Sequence, residues 1–219
     1  MRLLRPFGFT RYGRWRRIFN MALIVMLLSP LPAAAQTLTV LAFGDSLTAG
    51  YGVGPGEAFP EQLEKRLTAM GLAVTVRNAG VSGDTTAGGR ARLAWTLQGR
   101  IDLVILELGA NDGLRGIDPE ETRRNLDAIL GELKQRGIPV LLSGMLAPPN
   151  MGRTYGDRFN AIFPALAQKY GVAFDPFFLE GVAAQPALNQ ADGIHPNAEG
   201  VARIVDRLAP QVAEALGGR

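Results

Sequence analysis

The sequence predicts a three-layer α/β/α domain on a central parallel sheet of about five strands, flavodoxin-like in arrangement. Three observations predict it. Five short runs are almost continuously apolar, as strands covered on both faces must be, and do not alternate as half-exposed strands do. Between them lie segments with apolar residues at three- and four-residue spacing, the period of a helix buried on one side. Turn-rich segments follow several of the runs, where a parallel sheet offers its carboxyl edge to ligands.

Taken in order, the strand candidates are Leu38 to Phe43, Leu72 to Val76, Leu103 to Leu108, Ile138 to Leu142 and Val172 to Phe174. Leu63, Leu67 and Met70 mark the first helix between them. Leu126, Ile129, Leu130 and Leu133 mark a second, whose start is written in Asp118-Pro119-Glu120-Glu121: a capping acid, a proline at the first helical position and a capping-box glutamate. That helix ends at Gly137. Phe159, Phe163, Leu166 and Ala167 share one further helical face, and Val201, Ile204, Val205, Leu208, Val212 and Leu216 form the stripe of a last helix that closes over the sheet. No internal repeat, low-complexity tract or linker to a second domain interrupts the series.

The first 35 residues read differently. Arginines at 2, 5, 11, 14, 16 and 17 occur without an acid, followed by the apolar run Met21 to Leu28 and by Ala33-Ala34-Ala35. This is the pattern of a secretory signal peptide cleaved after Ala35, leaving 36–219 as the mature domain in the periplasm or outside the cell. Eight apolar residues fall short of the roughly 20 that span a bilayer, so no stable membrane insertion is expected after cleavage. Arg16-Arg17 leaves the twin-arginine route open beside the general one.

Composition narrows the function. At 47% hydrophobic and 20% charged, the chain suits one globular domain with a substantial core. The formal charge of +3 depends on the leader, and without its six arginines 17 basic residues face 20 acidic ones. A mildly acidic mature chain with no basic block gives no electrostatic reason to expect nucleic acid as a partner. The absence of cysteine excludes disulfides, thiol nucleophiles and thiolate metal sites.

Ser46 stands in Gly44-Asp45-Ser46-Leu47, directly after the first strand. It could cap a helix, or it could be a nucleophile if a base takes its proton and donors receive an oxyanion. The base can be named, because the chain has one histidine. His195 follows Asp192 by three residues in Asp192-Gly193-Ile194-His195, so one loop can bring a carboxylate to Nδ1 and fix the tautomer. Pro196 restrains His195 towards extended backbone. Donors are available in two other loops, from the backbone of Gly83 and the amide of Asn111; with the Ser46 N–H they make a three-donor oxyanion hole. Each of these loops, taken alone, also reads as an ordinary turn.

The four blocks Gly44-Asp45-Ser46-Leu47, Ser82-Gly83-Asp84-Thr85, Gly109-Ala110-Asn111-Asp112 and Asp192-Gly193-Ile194-His195 resemble, in order, those of the SGNH (GDSL) hydrolases. GANDGLRG at 109–116 and DGIHPN at 192–197 are most similar to the exported thioesterase, lysophospholipase and arylesterase branch. The resemblance implies a serine hydrolase of esters or thioesters, with Ser46 as nucleophile, His195 as base, Asp192 as its orienter and Gly83 and Asn111 as oxyanion donors. It implies a small acyl ester or thioester as substrate, no metal and no cofactor; a monomer is the expected state. A carbohydrate O-acetylesterase on the same fold and a non-catalytic flavodoxin-like binding module stand as alternatives. Thr48 stands where the elbow of the α/β-hydrolases has glycine, which separates the two kinds of serine turn.

Asp45 and Asp84 are expected to bond nearby backbone, and Glu107, interrupting an apolar strand, to tie neighbouring loops together. Leu114, Met145, Leu146 and Ala147 fall in loops after the third and fourth strands. They could line an acyl site or pack on the core.

Overall fold

The computed structural model describes residues 36–217. The leader expected at 1–35, and its cleavage site, lie outside them. Five parallel strands form the sheet: β1 (Leu38–Gly44), β2 (Val74–Gly80), β3 (Leu103–Glu107), β4 (Val140–Ser143) and β5 (Ala173–Asp175), in the order β2-β1-β3-β4-β5. The order reverses between β1 and β3, so a crevice opens at the carboxyl ends of these two strands.

Eight helices are described: α1 (Ser46–Ala49), α2 (Phe59–Ala69), α3 (Thr86–Thr96), α4 (Ala110–Arg115), α5 (Pro119–Gln135), α6 (Arg153–Asn160), α7 (Ile162–Tyr170) and α8 (Ala198–Gly217). The core is continuous across the sheet. Val40 to Phe43 of β1 and Leu103 to Leu106 of β3 have no exposed surface, as do Leu63 and Leu67 of α2, Leu126, Ile129 and Leu133 of α5, and Leu208 and Val212 of α8. Each of these side chains larger than alanine contributes roughly 1.5–3 kcal/mol by leaving water.

The expected strands and helical stripes are therefore present, with four differences. β2 is displaced towards the C-terminus, beginning at Val74 and running to Gly80. It lies at an edge of the sheet, where Thr75 is exposed and Asn78 is tolerated, so its apolar content does not mark its extent. Met70 does not belong to the buried stripe of α2; it is the C-cap and is 42% exposed. The phenylalanine helix is two helices, broken at Ala161, because Pro164 has no N–H to donate and its ring crowds the carbonyl of Asn160. Asp118 caps α5 by accepting from the Glu120 N–H at 3.2 Å, while Glu121 turns outward to Arg124 at 3.8 Å, so the capping box does not form.

Candidate active site

β1 ends at Gly44, and the chain turns at once into α1, with Asp45 as its N-cap and Ser46 as its first residue. Ser46 is not the cap: Asp45 Oδ1 takes that role, accepting from the Leu47 N–H at 3.0 Å. The Ser46 hydroxyl is therefore free for other work, and its N–H, at the first position of a helix, has no partner within the helix. The turn is tight because Gly44 has no side chain. A Cβ there would lie 2.1 Å from Thr48 Oγ1 and 2.4 Å from Glu107 Oε2.

His195 reaches this serine from the far end of the chain. Its Nε2 is 2.9 Å from Ser46 Oγ, and its Nδ1 is 2.7 Å from Asp192 Oδ2. Asp192 Oδ1 accepts from the backbone N–H groups of Ile194 (2.9 Å) and His195 (3.0 Å). One carboxylate thus closes the loop and holds the ring. These bonds, led by the His195 backbone N–H and then its ring, draw the Asp192 pKa down from 3.8 to about 2, so it is ionised at any working pH.

The loop is closed at its base by an isolated bridge between Asn189 and Pro196 and by the Gln190 N–H bond to the His195 carbonyl at 2.8 Å. Gln190 also donates through Nε2 to Tyr51 O (2.7 Å) and Pro196 O (2.9 Å), tying this loop to the segment after α1. The Tyr51 ring lies 4.6 Å from the imidazole, tilted by 39°. Tyr51 and Gln190 carry no motif. Only their position in the folded chain reveals them.

Gly83 and Asn111 come from the loops after β2 and β3. Gly83 has φ +84°, a left-handed conformation suited to glycine, and its carbonyl accepts from Arg115 Nη2 at 2.8 Å. Asn111 lies in the first turn of α4, not in the open turn its composition suggests, and donates through Nδ2 to Asp45 Oδ2 at 3.1 Å. Arg92 fastens the ends of β1 and β2 to the loop after β2: Nε to Asp84 Oδ2 (2.6 Å), Nη1 to Ala79 O and Nη2 to Gly44 O (both 2.9 Å), with its guanidinium 4.1 Å from the Phe43 ring centre. Asp45 bonds nearby backbone as expected, whereas the Asp84 carboxylate meets the Arg92 guanidinium instead.

Glu107 lies beneath α1 and has no exposed surface. Its Oε2 accepts from Thr48 Oγ1 at 2.7 Å and from the Asp45 N–H at 3.3 Å, while Oε1 has no partner among the described residues. It ties the end of β3 to the serine turn. Loss of solvent, and then the nearby Asp45 charge, raise its pKa well above the ordinary value.

Of the four residues expected to border the site, Leu114 and Leu146 are each 48% exposed, Leu114 within the short helix α4 and not in the expected loop, Leu146 in the loop after β4, and Ala147 is half-buried. Met145 is corrected: at 2% exposure it belongs to the core, because the chain leaving β4 is still between the layers at that point.

Set beside known proteins, the chain matches the GDSL-like lipase/acylhydrolase family over residues 42–203. The chain belongs to this family. It is 41% identical over 185 residues to Esterase TesA of Pseudomonas aeruginosa, a match covering 84% of this chain and 91% of the relative. It is 40% identical over 206 residues to Thioesterase 1/protease 1/lysophospholipase L1 of Escherichia coli, covering 94% and 95%. Among solved structures, the SGNH-hydrolase family esterase AlinE4 is 49% identical, with a TM-score of 0.71 over 83% of this chain and 98% of its own. The family read from the four sequence blocks is the family these matches show, and the α/β architecture is that of SGNH hydrolases.

Proposed function

We propose that this GDSL-family enzyme hydrolyses carboxylic esters and thioesters through an acyl-enzyme on Ser46. The observation that carries the reading is the unbroken relay from Asp192 through His195 to Ser46, at 2.7 and 2.9 Å. His195 Nε2 takes the serine proton as Oγ attacks the acyl carbonyl; the imidazolium then protonates the departing alcohol or thiol. Water, deprotonated by the same ring, releases the acid and restores the serine. The N–H groups of Ser46 and Gly83 and the Asn111 amide receive the negative charge that develops on the carbonyl oxygen. The scheme calls on no metal or organic cofactor.

The substrate is a small acyl ester or thioester, with Leu114, Leu146 and Ala147 bordering the acyl group. The names of the relatives, esterase and thioesterase/lysophospholipase, support this range. The leader supports export with cleavage after Ala35 and a periplasmic or secreted enzyme. Among the described residues no helix is long and apolar enough to cross a membrane.

Labelling by a serine-directed phosphonate tests the reading. One equivalent on Ser46, with loss of aryl-ester and acyl-thioester turnover, is expected; ordinary turnover by purified Ser46→Ala overturns it.

A further inference from the structure

Asp45 performs two tasks that need two separate oxygens. Its Oδ1 caps α1 through the Leu47 N–H at 3.0 Å, and its Oδ2 accepts from Asn111 Nδ2 at 3.1 Å, joining elements 66 residues apart in sequence. The side chain has no exposed surface. No water competes for either bond. An asparagine amide has two N–H groups at one end and a carbonyl oxygen at the other. A carboxylate beside it selects the nitrogen end and repels the oxygen, so one N–H is held and the other is left to donate.

We infer that Asp45 is a positioning residue for acyl transfer: its carboxylate fixes the Asn111 amide with an N–H directed to the oxyanion site and couples that donor to the turn bearing Ser46. This rests on the acyl-transfer reading above. The role requires the ionised form, since a protonated carboxyl offers one good acceptor where two donors must be met. Burial lifts Asp45 from 3.8 to about 6, against the Leu47 and Asn111 bonds that lower it. The titratable groups around it are Glu107 of β3, His195 of the loop before α8, and Asp84, itself paired with Arg92 of α3.

Two substitutions separate anchoring from capping. Serine is as good an N-cap as aspartate but lacks the second acceptor, so Asp45→Ser preserves the start of α1 and releases Asn111. Asp45→Asn is nearly isosteric, yet its one carbonyl oxygen can meet Leu47 or Asn111, not both. Both variants are expected to lower kcat about 10–100-fold with little change in KM. In an Asn111→Ala background the same changes should cost less than about threefold, because the group they position is gone. Wild-type kcat in Asp45→Ser, or losses that multiply fully with Asn111→Ala, overturns the inference.

If a variant does not fold, the wild-type enzyme decides. The Asn111 side-chain amide resonances should move with the same midpoint as the Asp45 carboxyl resonance, and an amide that ignores that titration overturns the inference. Phosphonate labelling of wild type and variants keeps the outcomes apart. A Ser46 that labels while Asp45→Ser is fully active sinks this inference alone, whereas a Ser46 that never labels sinks the acyl-enzyme reading.

Discussion

His195 Nε2 lies 2.9 Å from Ser46 Oγ although 149 residues separate them. A hydrogen bond spanning that distance in sequence requires β1, the far end of the sheet and the loop before α8 to be in place together. Removing either partner leaves this framework standing, because Ser46 caps nothing and His195 is held through its backbone. Ser46→Ala and His195→Ala are therefore expected to retain the wild-type melting temperature within a few degrees and to lose at least about 10³-fold in kcat. Circular dichroism melts beside an aryl-ester assay check both halves. Unfolding of either variant would mean that the site is part of the scaffold.

Asp192 holds both the loop and the ring, so its isostere separates the two. In Asp192→Asn the carbonyl oxygen still accepts from Ile194 and His195, but an NH2 group faces Nδ1 and selects the tautomer that cannot take the serine proton. A loss of about 10³–10⁴-fold in kcat is expected at constant fold. Because Asp192 itself titrates near 2, the wild-type rate should not lose an Asp192 contribution anywhere above pH 4. Its effect on stability has the same sign: present above the ordinary carboxyl range and lost as pH falls towards about 2. A rate profile whose acid limb moves with Asp192→Glu would contradict this.

Gly44 is where the serine turn meets β3, its register partner being Glu107. In Gly44→Ala the new methyl would meet Thr48 Oγ1, Glu107 Oε2 and the Glu107 carbonyl, the last at 2.6 Å. Backbone cannot yield as a side-chain tip can, so the variant should lose about 1–3 kcal/mol or more by overpacking. Urea denaturation measures it. A midpoint equal to wild type would show that the turn can move away from β3.

The meeting of Ser46, His195 and Asp192 was legible in the sequence because it rests on local facts: a sole histidine, an aspartate three residues before it and a serine directly after a strand. The proposed oxyanion donors could be named, but their settings could not. Asn111 reads as a turn residue since Asn-Asp-Gly is turn-like, yet it is the second residue of a six-residue helix between Gly109 and Gly116, both with positive φ. Helix α3 left no periodic signal at all. Its buried face is Thr86, Gly89, Leu93 and Thr96, with one large apolar side chain, because the helix lies so close to the sheet that a Cβ on Gly89 would be 2.3 Å from Leu108 Cδ1. Arg92 was hidden with it. Asp45 was readable as a backbone-bonding acid, while its second bond, to Asn111, depends on where β3 delivers α4.

Glu107 offers the sharpest pH test. Its pKa is raised by burial and then by Asp45, and Asp45 is raised from 3.8 to about 6, chiefly by burial. Both groups bind protons more tightly in the folded chain than in the unfolded one. Their contribution to stability is therefore full below pH 4 and is lost as pH rises, through about 6 for Asp45 and higher for Glu107. For Asp45 alone the displacement corresponds to about 3 kcal/mol. Glu107→Gln keeps an acceptor for Thr48 Oγ1 but cannot ionise, and its NH2 takes the place of the unpartnered Oε1, a cost of about 1–3 kcal/mol. The variant should thus be less stable than wild type at pH 5, and the gap should close or reverse by pH 9. Because Glu107 ties loops together and does not touch the reacting atoms, kcat at neutral pH should stay within about threefold. Urea midpoints at intervals from pH 5 to 9 decide it: a gap that stays constant would mean that Glu107 titrates alike in both states, and loss of all activity in a folded variant would give it a part in the chemistry.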